Sequence, residues 1–500
     1  MIPPANAPSL PDDADDLRAF GYTPQLRRSL GAFSSFAVAF SLISVFTGVF
    51  ANFGHGLRQV GGAVVWSWLA VLGGQFLLVL VLAELSTRIP LSGYGYQWSS
   101  RLVNPHYGFT VGWLLTLQFV TGFPGVCATL AAQLGSWLGG TWAEPRAFTA
   151  LSLAVIAVVT LVQLRGIRFA ALVNNAGVWT ELVGVAALSL VLIAFALLRD
   201  GSPALLVDSR NAATGHPAGL GAWALSLLLG AWCLTGFEAA ADLAEETRQP
   251  RRIVPRAMLL SLLGAGIAGF LLLAGAVGCL RDLPAAQAAD NPWLWLLHRT
   301  LGPAWTTVVL VVVGVSIFAC ALASMAATSR LLFALGRDRM LPASGWLAYV
   351  APGARTPRNA ILLLWAASSV VIVVLPTLEV ITQISAVAGY LGYAGILVAA
   401  LRAPPATGGD RGTFSLGRFR GVLAAAALVW VLGVVAALTV PPTEIPGIRT
   451  RHLPALSTGV AITVGAAIYL GLIRGRLQRG EAGPPALKPG RGDSSPGGNG

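Results

Sequence analysis

Charge is scarce in this chain of 500 residues: 11% are charged against 55% hydrophobic, and the mean hydropathy is +0.71. So little charge cannot cover the apolar surface of one soluble core, which makes this a membrane protein. Lysine is nearly missing, Lys488 being the only one, so no ammonium group stands in any membrane-length segment. The four cysteines, Cys127, Cys233, Cys279 and Cys320, fall in apolar segments without paired spacing, which excludes a zinc site and a disulfide framework and leaves packing. The five histidines, His55, His106, His216, His298 and His452, are scattered among predicted loops and surface segments without metal-ligand spacing. A membrane enzyme would need a convergent set at one face, and none is found. Short alternating segments are also missing, which excludes a β-barrel. The net charge of +12 does not point to nucleic acid, because the basic residues punctuate apolar runs instead of clustering on one soluble face. No metal and no cofactor is expected, and the lipid bilayer is one expected partner.

What is present is a series of about a dozen apolar runs of roughly 18 to 25 residues, each long enough to span a hydrocarbon core of about 30 Å. Each span must satisfy its own backbone hydrogen bonds, so the bundle is all-α. Spans are predicted near 32–57, 61–85, 108–138, 148–164, 173–198 and 220–243, then 256–280, 304–335, 358–376, 379–400, 420–440 and 456–474. Residues 1–31 are polar and lack an apolar leader with a cleavage site, so they read as a tail. Residues 475–500, rich in Gly and Pro, read as a second, disordered tail. Placing both tails and the even-numbered loops on one side puts 25 of the 33 basic residues there, which predicts that both termini are cytoplasmic. The loop after the second span, 84–96, is predicted to form a turn or short surface helix. The arginines of 329–339 read as anchors at the cytoplasmic face.

Two spans are interrupted. Phe46-Thr47-Gly48 and Leu234-Thr235-Gly236-Phe237-Glu238 each put a Thr-Gly pair at membrane depth, and paired interruptions in the two halves of a chain point to a transporter's substrate site. At Gly48 the missing side chain permits a split into two half-helices. The second half-helix would then offer free N–H groups and a positive dipole end to a carboxylate, with Ser44 and Thr47 adding hydroxyls. The competing reading is that Gly48 allows close helix packing. Glu238, about 18 residues into its span, is costly unless it faces a cavity, and Asp242 follows it at helical spacing. Glu245 and Glu246 read as already in cytoplasmic water, with Arg248, Arg251 or Arg252 as partners. Glu181 lies in the fifth span with no lysine in any span to pair with it; it is a candidate proton carrier, or else a structural hydrogen-bonding group.

These residues together resemble the amino acid–polyamine–organocation superfamily, and within it the amino acid/choline transporter branch that includes 4-aminobutyrate and choline permeases. The likeness runs from about Phe20 to Arg476. Its specific parts are Phe33-Ser34-Ser35-Phe36-Ala37 leading to Thr47-Gly48; Ala83-Glu84-Leu85-Ser86 with Pro90-Leu91-Ser92-Gly93; Thr235-Gly236-Phe237-Glu238; and 245–257, beginning Glu245-Glu246-Thr247. The resemblance implies twelve transmembrane helices in a LeuT-type fold, with helices 1 to 5 and 6 to 10 as inverted repeats and helices 1 and 6 unwound at the substrate. Two departures stand out: Gly61-Gly62-Ala63 replaces a frequent Gly-Gly-Pro, and Glu181 lies at or beside the position of a fifth-helix lysine found in several relatives.

The function expected on this basis is secondary active import of an amino acid or related amine across the cytoplasmic membrane by alternating access. Its substrate site would comprise Ser44, Thr47, Gly48, Thr235, Gly236, Phe237 and Glu238. Proton coupling through Glu181 is favoured over a sodium site, for which Ser324 and Thr328 are candidate ligands. Uncoupled exchange, a channel and a non-transporting sensor are the alternatives.

Overall fold

The computed structural model describes residues 17–26, 28–139, 144–198, 201–351, 356–375, 377–403, 414–441 and 452–485. Of the expected tails, 1–16, 27 and 486–500 lie outside the described residues; 475–485, expected to be disordered, are described, with a helical turn to Gln478 and the Gly483 N–H donating to the Asp338 carbonyl. The helices, in chain order, are α1 (Ala32–Ile43), α2 (Val45–Val60), α3 (Val64–Arg88), α4 (Tyr94–Leu102), α5 (Pro105–Leu138), α6 (Pro145–Leu164) and α7 (Ile167–Leu198). They continue as α8 (Leu220–Ser226), α9 (Leu228–Cys233), α10 (Ala239–Asp242), α11 (Pro250–Gly278), α12 (Leu283–Ala288), α13 (Pro292–Leu301) and α14 (Pro303–Arg337). The last are α15 (Ser344–Leu347), α16 (Arg358–Val374), α17 (Leu378–Arg402), α18 (Arg420–Thr439), α19 (Leu453–Ile468) and α20 (Arg474–Gln478). Among the described residues the β contacts are isolated bridges, Leu30 with Thr247 and Arg210 with Pro217.

Nine helical stretches of the described residues are long and apolar enough to cross a membrane; the first, Ala32–Arg88, is 57 residues long and holds both of the first two expected spans. Two shorter apolar helices, Leu220–Cys233 and Arg358–Val374, coincide with the expected spans at 220–243 and 358–376. Burial separates core from rim. The most apolar windows of α5 and α17 are 78% buried, whereas that of the last stretch, Leu453–Gln478, is 17% buried and faces outward. α17 packs on α5, α11 on α3, α7 and α1, and α14 on α5 and α7, so the interrupted helices α1–α2 and α8–α10 lie at the centre of the bundle.

One face of the bundle is closed by buried charge. Arg330 Nε lies 2.6 Å from Glu246 Oε1 with both side chains fully buried, and Arg337 Nη1 lies 2.9 Å from Glu245 Oε2. This corrects the expectation that both glutamates are in water beside Arg248, Arg251 or Arg252, and that Arg330 and Arg337 serve as anchors at the cytoplasmic face: the acids turn inward onto α14, while Arg339 stays exposed. Asp338 accepts hydrogen bonds from the hydroxyls of Tyr22 and Tyr96 and from the Gln97 amide. The Arg337 guanidinium lies 3.8 Å from the centroid of the Tyr22 ring. α4, expected on the surface, is buried from Tyr94 to Ser100 beneath these contacts. The end of the expected N-terminal tail is packed here too: Leu17, Phe20, Tyr22, Leu26 and Leu30 are buried, and the backbone N–H groups of Ser29 and Leu30 donate to the Glu246 carbonyl. At the opposite face the closing contacts are thinner. Thr382 Oγ1 donates to Asn52 Oδ1 at 3.2 Å, and the half-exposed pair Arg58–Glu379 stands at 3.5 Å.

Candidate functional site

The first interruption falls at Ser44, earlier than the Thr47-Gly48 pair from which it was expected. Ser44 takes φ +23°, a conformation rare for a residue with a side chain, and separates α1 from α2. Its hydroxyl donates to Glu181 Oε1 at 2.9 Å, and its oxygen accepts from the Thr47 backbone N–H and from Thr47 Oγ1. Thr47 and Gly48 already belong to the first turn of α2. Gly48 is there for contact: a Cβ at this position would stand 2.3 Å from Cys233 Sγ, so α2 and α9 can meet only where the side chain is missing. That is the packing role weighed above as the alternative.

The second interruption lies where it was expected. α9 ends at Cys233, Leu234 to Glu238 are not helical, and Gly236 has φ +102°, which only glycine adopts without strain. Glu238 is fully buried and turns back over this break: Oε2 accepts from the Gly236 N–H at 3.0 Å, while Oε1 accepts from the Gln118 amide at 3.2 Å and from the Tyr393 hydroxyl. Phe237 stacks on Tyr393 with ring centroids 6.3 Å apart.

Between the two breaks lies a small cavity. Of the residues singled out in the sequence it is lined by Thr47, Thr235, Gly236 and Ser324. Ser44, Gly48 and Glu181 stand behind the wall on the α1–α2 side, while Glu238 and Phe237 stand behind Gln118. Thr328 is buried one turn beyond Ser324, its hydroxyl donating to the Ser324 carbonyl. The remaining wall, missed from the sequence, includes Leu42, Phe119, Trp232, Cys233, Cys320 and Ser385. Gln118 could have been noticed as a neutral amide in mid-span, which needs a hydrogen-bonding partner there.

The α1–α2 break has two electrically distinct ends. At the N-terminus of α2 the Glu181 carboxylate holds the Ser44 hydroxyl and accepts from the Phe46 N–H at 3.4 Å, so the chain's own acid lies at the dipole end expected to attract a substrate carboxylate. Its second oxygen, Oε2, is buried without a hydrogen-bonding partner. At the C-terminal end of α1 the Leu42 and Ile43 carbonyls meet the thiols of Cys320 and Cys233, at 3.6 and 3.2 Å. Thiols are weak donors, so these carbonyls stay available to a stronger one. The cavity side of the break thus offers hydroxyls and carbonyls, while the helix N-terminus is already taken by Glu181. Among the described residues no group of three or more His, Cys, Asp or Glu is arranged to hold a metal.

A helical membrane bundle in which two interrupted helices meet at one cavity is a transporter architecture. The chain belongs to the amino acid permease family, whose profile matches residues 30–466. It is 25% identical over 496 residues to the amino-acid permease BAT1 of Arabidopsis thaliana, an alignment covering 91% of this chain and 93% of that protein. It is 26% identical over 439 residues to the thiamine transporter thi9 of Schizosaccharomyces pombe, covering 78% and 74%. With the branched-chain amino acid permease BcaP of Lactococcus lactis it shares 27% identity over 312 residues, 59% of this chain and 66% of that protein. The family and these relatives are permeases and transporters, so the membrane-enzyme reading falls away.

Proposed function

We propose that this permease is a twelve-span secondary active transporter with LeuT-type inverted repeats, importing an amino acid or related amine across the cytoplasmic membrane by proton-coupled alternating access. The span count is supported by the 57-residue first stretch, long enough for two crossings, and by the two shorter apolar helices at expected positions. The substrate class is supported by the relatives, named for amino acids, branched-chain amino acids and thiamine.

The observation that carries the mechanism is Glu181 at the N-terminus of α2, against Ser44 and Phe46. When ionised, this carboxylate neutralises the helix end on one side of the break and weakens its attraction for a second carboxylate at Thr47. When protonated, it leaves the dipole end to the substrate. Proton and substrate thus favour each other's binding, which is the thermodynamic condition for symport. The substrate amine lies against the carbonyls of Leu42 and Ile43. Glu238 acts on it through the charge carried behind Gln118 and holds the second break in shape through Gly236. Ser324 and Thr328 would be the sodium ligands in the competing scheme.

Saturable uptake by purified protein in proteoliposomes tests this reading, with amino acids, 4-aminobutyrate, choline and polyamines as the panel. Import of one of these, raised by an acid-outside pH difference, is the expected result. Non-saturable flux would indicate a channel, and binding without flux a sensor.

A further inference from the structure

Asp242 is a buried acid to which the transport scheme gives no part. It lies on α10 fully buried, and neither of its carboxylate oxygens has a hydrogen-bonding partner among the described residues. The Gly93 N–H is turned toward it without reaching hydrogen-bonding geometry. Glu238 lies one helical turn back, the Asp242 N–H donating to its carbonyl at 3.1 Å, and its carboxylate is committed to Gly236, Gln118 and Tyr393. On α4 the Tyr94 hydroxyl is buried within electrostatic reach of both acids and is itself without a partner. On α14 the cation within reach is Arg330, whose guanidinium is taken by Glu246 at 2.6 Å. The other helices packed on α10, α1 and α11, bury no ionisable side chain.

Asp242 also stands inside the sealed face of the bundle. Four residues further on Glu246 pairs with Arg330, and Glu245 accepts from the Ser92 N–H at 3.2 Å, beside Gly93 and Tyr94. Opening the cavity toward this face must part residues 238–246 from α4 or α14. While they are together, an ionised Asp242 is a buried charge without a counter-ion, one turn from a second carboxylate, and a proton removes that cost. Once they part, water reaches the carboxyl, the ion becomes cheap, and the O–H proton passes to that water. We infer that Asp242 is a proton-binding site of the inner gate, filled while the gate is closed and emptied into cytoplasmic water when it opens, so that internal pH sets how readily the permease opens inward. The closed form holds one more proton than the open form, so acid inside favours closure and that preference is lost as internal pH rises. The inference rests on alternating access, but on neither the identity of the substrate nor the role of Glu181.

The test uses the full-length protein in inside-out membrane vesicles, with Ser92→Cys as the reporter in a Cys279→Ala background. Ser92 is buried at the contact with Glu245, so a cysteine there meets an impermeant maleimide only when the inner gate opens. Labelling at position 92 is read by mass spectrometry and divided by that of Ser415→Cys, an exposed site on the same face, which cancels the pH dependence of the thiol reaction itself. With the same pH on both sides of the membrane, this ratio should rise with pH by up to about ten-fold per unit, the limit for one proton. Asp242→Asn and Asp242→Leu, which cannot ionise, should each flatten it. A ratio independent of pH in the parent, or an undiminished slope in either Asp242 variant, would overturn the inference. A slope that survives Asp242→Asn but disappears in Glu181→Gln would also overturn it, assigning the sensing to Glu181. Position 92 unlabelled at every pH would contradict alternating access itself, and the inference with it.

Discussion

At Gly236 a Cβ would stand 2.6 Å from Leu42 Cγ, and the backbone there has φ +102°. Gly236→Ala therefore carries a conformational cost of about 1–3 kcal/mol and displaces a residue of the cavity wall. Lower thermal stability and weaker substrate binding are expected together. Gly48→Ala acts through contact instead. It should destabilise by about 1–3 kcal/mol through overpacking against Cys233, and Cys233→Gly should recover part of that loss. Strict additivity in a thermal-unfolding cycle of these two substitutions would show that they do not share the contact. At Glu238 the carboxylate receives three donors, so Glu238→Gln turns an amide N–H₂ toward the Gly236 N–H, the Gln118 amide or the Tyr393 hydroxyl. The expected cost is about 1–3 kcal/mol of stability, with affinity for an amine-bearing substrate falling about ten-fold. Tyr393→Phe removes one donor and should be milder; a Glu238→Gln protein as stable and as tight-binding as the parent contradicts this role.

The helices act as units through α14, whose inner end carries Arg330 against Glu246 and Arg337 against Glu245. Arg330→Met leaves Glu246 buried and unpaired, at about 3–5 kcal/mol. Replacing both partners, as Glu246→Leu with Arg330→Met, removes both charges and should unfold at a higher temperature than Arg330→Met alone; the reverse order would mean that the pair is not the source of the loss. The sequence revealed the apolar spans and the second break, because span length and a glycine at membrane depth are local signals. It misplaced the first break because Ser44 keeps its unusual backbone with help from Glu181, 137 residues away. It misread Glu245 and Glu246 because nearby arginines offered local partners, whereas the true ones lie 92 and 84 residues on. Cys233 and Cys320 looked like packing residues in apolar runs, and only the meeting of α9 and α14 with α1 turns them into a cavity wall.

Across the whole molecule the two faces are closed unequally. The fully buried Arg330–Glu246 pair, the largely buried Arg337–Glu245 pair and residues 17–26 and 28–30 seal one, while the half-exposed Arg58–Glu379 pair and the Asn52–Thr382 hydrogen bond span the other. The proposed orientation puts the sealed face in the cytoplasm. In a Cys279→Ala background, cysteines placed at the exposed positions Thr214 and Ser415 should then differ: an impermeant maleimide added to intact cells labels Thr214→Cys and spares Ser415→Cys. The opposite pattern would invert the protein in the membrane.

Alternating access becomes proton-driven only if one group senses both the proton and the first break, and Glu181 is positioned for that by its contacts with Ser44 and Phe46. Glu181→Gln keeps a carbonyl oxygen to accept from Ser44 and stays neutral at every pH. The decisive measurement compares counterflow with pH-driven accumulation in the same proteoliposomes. Glu181→Gln should exchange substrate across the membrane yet fail to concentrate it under an acid-outside pH difference that drives the parent protein. Accumulation by Glu181→Gln equal to that of the parent would place the coupled proton elsewhere.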